Sequence, residues 1–102
     1  GYTPLSRFPK IEQDISLRVP TAVSYAQIFE AADAALKAVV PKHTTYSLRP
    51  LDIYQREDDT EHRNITLRFT IASYERTMLE KEVSKLLESA EEATKQLGAV
   101  RL

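Results

Sequence analysis

Apolar and polar positions along this chain fall into two different periods, and the alternation between them predicts six elements. From Asp14 to Val19 the period is two: Ile15, Leu17 and Val19 fall on one side, Asp14, Ser16 and Arg18 on the other. That is the pattern of a strand with one buried face. Pro20 ends it. Ser24 then offers a helix N-cap, and Gln27 three residues later completes a capping box. Tyr25, Ile28, Phe29, Ala32, Leu36 and Val39 follow at helical spacing, so the helix is expected from about Tyr25 to Val40, with Pro41 stopping it.

Tyr46 to Tyr54 reads as a second strand, with Leu51 and Ile53 inward and Asp52 and Tyr54 outward. Pro50 lies inside this run, which a strand tolerates only at a sheet edge or a bulge. Residues Gln55 to Arg63 form a charged loop without glycine, expected to be mobile. Asn64 to Ala72 is the clearest strand: Ile65, Leu67, Phe69 and Ile71 alternate with Asn64, Thr66, Arg68 and Thr70. Thr77 and Glu80 suggest a second capping box. Val83, Leu86, Leu87, Ala90, Thr94 and Leu97 make the buried stripe of a helix reaching about Gln96, and Gly98 suits its C-terminal end. Ala99 to Leu102 is long enough for a short last strand.

The order strand, helix, strand, strand, helix, strand, with right-handed crossovers, predicts an α+β fold. This is the ferredoxin-like βαββαβ sandwich: a four-stranded antiparallel sheet in the order 4-1-3-2, with both helices on one face. In that order the second strand lies at an edge, where Pro50 does least harm. Residues Gly1 to Glu12, with Pro4 and Pro9, read as an N-terminal arm or linker, and residues 13–102 as the folded domain. The chain begins with Gly1 rather than Met, which fits a domain of a larger protein.

With both helices on one side, the other face of the sheet is open to water. It is expected to display Asp14, Ser16, Arg18, Asp52, Tyr54, Asn64, Thr66, Arg68, Thr70, Ala99 and Arg101. A ring on an exposed sheet can stack a splayed-out base, and arginine pairs with phosphate or stacks on a base plane. Aspartate and asparagine can read base edges. The set therefore suits single-stranded RNA. An uncovered sheet face is polar in any case, so the composition of this face also fits a face with no ligand.

Charge and composition narrow the possibilities. Net charge is −1, from 14 basic and 15 acidic residues, so any RNA binding rests on a local arrangement rather than bulk charge. There is no cysteine, which excludes disulfides, thiolate metal sites and cysteine catalysis. His43 and His62 are the only histidines, and both are expected in solvated loops without the spacing a metal needs. No serine sits in a nucleophile elbow, and no glycine-rich loop is present to cradle phosphate. There is no long apolar run, so no segment is expected to span a membrane, and a cytoplasmic location fits. Asn64-Ile65-Thr66 matches a glycosylation sequon, a coincidence in a cytosolic strand.

Several stretches resemble one family, the ferredoxin-fold anticodon-binding domain of bacterial phenylalanyl-tRNA synthetase beta subunits. The stretches are Ser6-Arg7-Phe8-Pro9 with Gln13-Asp14-Ile15-Ser16-Leu17; Leu51-Asp52-Ile53-Tyr54; and Ile65-Thr66-Leu67-Arg68-Phe69. Tyr74-Glu75-Arg76-Thr77-Met78 with Lys81-Glu82-Val83, and Gly98-Ala99-Val100-Arg101, complete them. The resemblance runs from about Ser6 to Leu102. It implies a tRNA-binding domain that holds the anticodon loop of phenylalanine tRNA. By the resemblance, Tyr54 stacks on an anticodon base, Asp52 hydrogen-bonds to it, and Arg101 contacts the same region. Asn64 stands where the family usually has serine, and Arg18 and Arg68 lie alongside. The resemblance implies that the domain itself needs no cofactor. The parent enzyme joins phenylalanine to its tRNA with ATP and magnesium, in a catalytic centre of its alpha subunit, and pairs two alpha with two beta subunits. Gln13 departs from the family's common arginine. The loop Gln55 to Arg63 lacks the family's usual glycine and carries Glu57, Asp58, Asp59 and Glu61, so it is expected to point away from RNA.

Other functions share this order of elements. An ACT-like small-ligand module, or an acylphosphatase-like enzyme, would need a glycine-rich or phosphate-binding turn after the first strand, where Val19-Pro20-Thr21-Ala22-Val23 stands. A general RRM would need outward aromatics on the third strand, where Phe69 faces the core.

Overall fold

The computed structural model describes residues 8–102. Most of the expected arm, residues 1–7 with Ser6 and Arg7 of the opening motif, lies outside them. The elements are β1 (Ile11–Pro20), α1 (Tyr25–Val39), β2 (Thr44–Tyr54), β3 (His62–Ser73), α2 (Glu80–Lys95) and β4 (Val100–Arg101). They form one four-stranded sheet in the order β2-β3-β1-β4, in which every neighbouring pair is antiparallel. This is the ferredoxin-like arrangement expected from the patterning.

The core follows from the two periods. Ile15, Leu17 and Val19 of β1 and Ile65, Leu67, Phe69 and Ile71 of β3 all point to one side and are buried. They meet Ile28, Ala32 and Leu36 of α1 and Val83, Leu86, Leu87 and Ala90 of α2 in a single cluster. Removal of this apolar area from water is the main stabilising term. Val39 of α1 is 44% exposed and Val40 takes the partly buried place instead, because the helix ends at Val39 and the chain turns. No helix among the described residues is long and apolar enough to cross a membrane.

The first helix starts as its sequence predicts. The Ser24 hydroxyl accepts from the Gln27 N–H at 3.2 Å, and Gln27 Oε1 accepts from the Ser24 N–H at 2.9 Å. The second helix does not. Its N-cap is Leu79, not Thr77, and no cap side chain accepts a helix N–H. Glu82 supplies the only capping contact, its Oε1 accepting the Leu79 N–H at 3.2 Å. The same carboxylate takes both nitrogens of Arg76 at 2.6 Å, so Arg76 anchors the turn through an acid rather than through carbonyls. The hydrogen bond from Arg76 holds the Glu82 carboxyl below the usual range. Met78, 2% exposed, enters the core and thereby sets where the helix begins.

Tyr46 of β2 packs its ring against Phe69, with centroids 5.9 Å apart, and donates its hydroxyl to Asp33 Oδ1 of α1 at 2.7 Å. Burial, then the Asp33 hydrogen bond and charge, push the phenol up to about 12. The folded state therefore keeps this proton longer than the unfolded chain. The contribution is intact below the ordinary tyrosine value of about 10 and is lost as pH rises through the folded value. Ultraviolet titration should show one tyrosine ionising near pH 12, and Asp33→Asn should lower that step. An unmoved step would remove Asp33 as the cause.

Two strand expectations are corrected. Leu51 and Ile53 are 43% and 48% exposed rather than buried. The register of β2 against β3 shifts between Pro50 and Asp52, making Leu51 the extra residue of a β-bulge. Ile53 pairs with Ile65 on the helix side, but at the end of an edge strand where little covers it. At the other edge, Ala99 is 2% exposed and belongs to the core, whereas the patterning put it on the open face. Gly98 makes the turn at φ +93°, a conformation favouring glycine, and a Cβ there would lie 3.0 Å from Pro20 Cγ. This tight turn seats the small Ala99 side chain beneath the end of α2. Alternation then carries Arg101 to the helix side as well.

Candidate nucleic-acid interface

Residues paired directly across strands share a face, so the register lays out the open side row by row. One row is Tyr54, Asn64, Arg18 and Val100. The next is Asp52, Thr66 and Ser16, with Leu102 bound alongside through its N–H to the Ser16 carbonyl at 2.9 Å. The third is Arg49, Arg68 and Asp14, and the fourth Ser47, Thr70 and Glu12. Tyr54 is 54% exposed and its ring is free to receive a flat partner. Ser16 and Thr66 satisfy each other's hydroxyls at 2.8 Å.

The predicted residues Asp52, Tyr54, Asn64, Arg18 and Arg68 are thus brought together. Arg101 is not. It pairs with Leu17, whose side chain is in the core, and its guanidinium is bound to Glu91 of α2. It lies on the opposite side of the sheet from Tyr54. The open face carries Val100 and Leu102 at that edge, 60% and 62% exposed, in place of the expected Ala99 and Arg101.

Arg49 and Ser47 were missed, for a physical reason. Counting by twos back from Tyr54 and Asp52 puts Pro50 and Leu48 outward. The bulge at Leu51 adds one residue and reverses the phase, so Leu48 is 9% exposed in the core and Arg49 faces out. The signal was present: an apolar Leu48 on the outward count, beside a proline marking a bulge.

Electrostatically the face is more balanced than its guanidinium groups suggest. Asp14 takes Arg68 at 2.9 and 3.1 Å, and Glu12 lies 3.7 Å from the same group. The hydrogen bond from Arg68 holds the Asp14 carboxyl below its usual range. Arg18 donates to Asp59 Oδ2 at 2.9 Å. Asp59 belongs to the β2–β3 connection, so this acidic loop folds onto the row of Tyr54 instead of pointing away. Hydrogen bonds tie the loop down at this end. Asp59 Oδ1 accepts the Glu61 and His62 N–H groups at 3.0 and 3.1 Å, and the Glu61 carbonyl accepts the Thr21 N–H at 2.9 Å. His62 opens β3, with Nδ1 3.1 Å from Asp59 Oδ2. Desolvation pushes the Asp59 carboxyl upward, but hydrogen bonds from His62, the Glu61 N–H and Arg18 outweigh it and hold the group low. A cavity of about 390 Å³ lies here, lined by Arg18, Arg56, Asp58, Asp59, His62 and Asn64 among others.

The turn after β1 argues against phosphate chemistry. Its Thr21 and Val23 N–H groups are bonded to the Glu61 and Pro20 carbonyls at 2.9 Å, so they cannot cradle an anion.

Known proteins resemble this sequence. Two phenylalanine–tRNA ligase beta subunits, from two strains of Campylobacter jejuni, are each 26% identical to it over 95 residues. The matched stretch is 93% of this chain and 12% of each relative. Residues 6–102 match the family described as the ferredoxin-fold anticodon binding domain. With the βαββαβ order and the open sheet face both in place, the chain belongs to the ferredoxin-fold anticodon-binding domain family.

Proposed function

We propose that this domain holds the anticodon loop of phenylalanine tRNA on its open sheet face, as part of a phenylalanine–tRNA ligase beta subunit. The observation that carries this reading is the exposed Tyr54 ring, with Asn64 beside it in the same row and Asp52 on the same face two residues before it. Stacking of one base on such a ring contributes about 1–3 kcal/mol. Asp52 can only accept at neutral pH and so selects base N–H groups, while Asn64 both donates and accepts. Arg18 and Arg68 frame the platform, and any arriving phosphate must compete with the carboxylate that each already binds. Arg101 is placed to brace α2 against β4.

The domain contributes binding, and aminoacylation proceeds elsewhere. ATP and magnesium serve a catalytic centre in the alpha subunit, two alpha subunits pair with two beta, and the assembly works in the cytoplasm. The names of the relatives and the family match support the ligase and anticodon-binding parts of this reading.

The test is to map amide shifts on titrating the labelled domain with a phenylalanine tRNA anticodon stem-loop. Shifts should gather on Asp52, Tyr54, Asn64 and Thr66 and be smaller for a stem-loop with a changed anticodon. Shifts confined to α1 and α2, or none at all, would overturn the reading.

A further inference from the structure

We infer that Arg49 is a phosphate-contacting residue of the open face, gripping the RNA backbone further along the sheet from the base seated on Tyr54. This rests on the anticodon-loop reading. The bulge at Leu51 turns Arg49 outward, into the row of Arg68 and Asp14. Among the described residues, Arg18, Arg56, Arg63, Arg68, Arg76 and Arg101 each bind a carboxylate or a carbonyl. No hydrogen bond or ion pair among them involves the Arg49 side chain.

Arg49 also stands directly across from Arg68, and like charges in that relation repel. Asp14 feels both guanidinium groups, but its two oxygens are taken by Arg68. Arg49 is therefore a guanidinium of the face without a partner among the described residues, with open donors in a fork that matches phosphate. Its position fits a strand lying across the sheet. Its row is two β3 residues from that of Asp52 and four from that of Tyr54, or about 7 and 13 Å, so it meets the backbone of a strand that runs on past Tyr54 and Asp52. The acids Glu57, Asp58, Asp59 and Glu61 lie at the Tyr54 end, so the polyanion is drawn toward Arg49 and away from the loop.

Binding of the anticodon stem-loop should be measured over a salt series for wild type, Arg49→Ala, Arg49→Lys and Tyr54→Ala, with melting curves confirming that each folds. Arg49→Ala should weaken binding alike for matched and altered anticodons. It should also flatten the slope of log K against log salt by about 0.7, the value for one single-strand phosphate. Arg49→Lys should restore most of the slope. If Tyr54→Ala weakens binding but Arg49→Ala keeps the wild-type slope, the inference fails and the anticodon reading stands. An Arg49→Ala variant weakened at unchanged slope would point to a base contact and overturn the phosphate assignment. A wild type that does not bind would defeat both.

Discussion

Replacing Phe69 with alanine should destabilise the domain by about 3–5 kcal/mol, the usual cost of deleting a large core ring. Phe69 is fully buried in the middle of β3, between Gln13 of β1 and Leu48 of β2, and its ring meets Tyr46. Three effects combine: lost transfer free energy, a cavity that the two-sided sheet cannot close, and the lost ring pair. A domain of this size has a total stability of about 5–15 kcal/mol. The variant should therefore be partly unfolded at physiological temperature. Urea denaturation is the measurement, with the midpoint lowered and the m-value unchanged. A loss under about 1 kcal/mol would mean that the core around β3 is looser than its burial indicates.

Tyr54→Ala should do the reverse, leaving the fold intact and removing function. The ring is 54% exposed at the end of an edge strand, so stability should change by no more than about 0.5 kcal/mol. Affinity for the anticodon stem-loop should fall about 5- to 140-fold, which is the 1–3 kcal/mol of one base stack at 1.4 kcal/mol per tenfold. Tyr54→Phe should keep most of the affinity, because the π-face and not the hydroxyl carries the contact. Equal affinity for the alanine variant and wild type would remove the ring from the interface. Loss in both Phe and Ala variants would move the role to the hydroxyl.

The two substitutions separate the faces of one sheet. Phe69 and Tyr54 sit on neighbouring strands and point to opposite sides of the sheet. What covers the Phe69 side is two amphipathic helices, and what leaves the Tyr54 side bare is the absence of any third layer among the described residues. Asp59 is the main intrusion on that bare side. Its loop brings four acids to the end of the platform, and its pairing with Arg18 reduces the positive charge that an incoming RNA meets.

How far the sequence alone reaches is visible residue by residue. Strict alternation in β3 assigned Ile65, Leu67, Phe69 and Ile71 to the core without error, because a strand's side-chain period is set by the backbone itself. Ser24 and Gln27 announced the start of α1, since a capping box is closed within four residues. The element order and the outward phase of Asp52 and Tyr54 were legible for the same local reason.

Other features depended on contacts between distant parts of the chain. Thr77 had the right spacing for a cap, but burial of Met78 moved the helix start to Leu79. Arg49 was hidden because a bulge against β3 reverses the count along β2. Arg101 was misplaced because four residues are too few to fix a phase, and the turn at Gly98 settled it by seating Ala99 under α2. Asp59 reaches Arg18 across 41 residues of sequence, which no local pattern encodes. Local periodicity thus determined which residues each element buries. The pairing of one strand against another decided which charges share a surface and which of them are already neutralised.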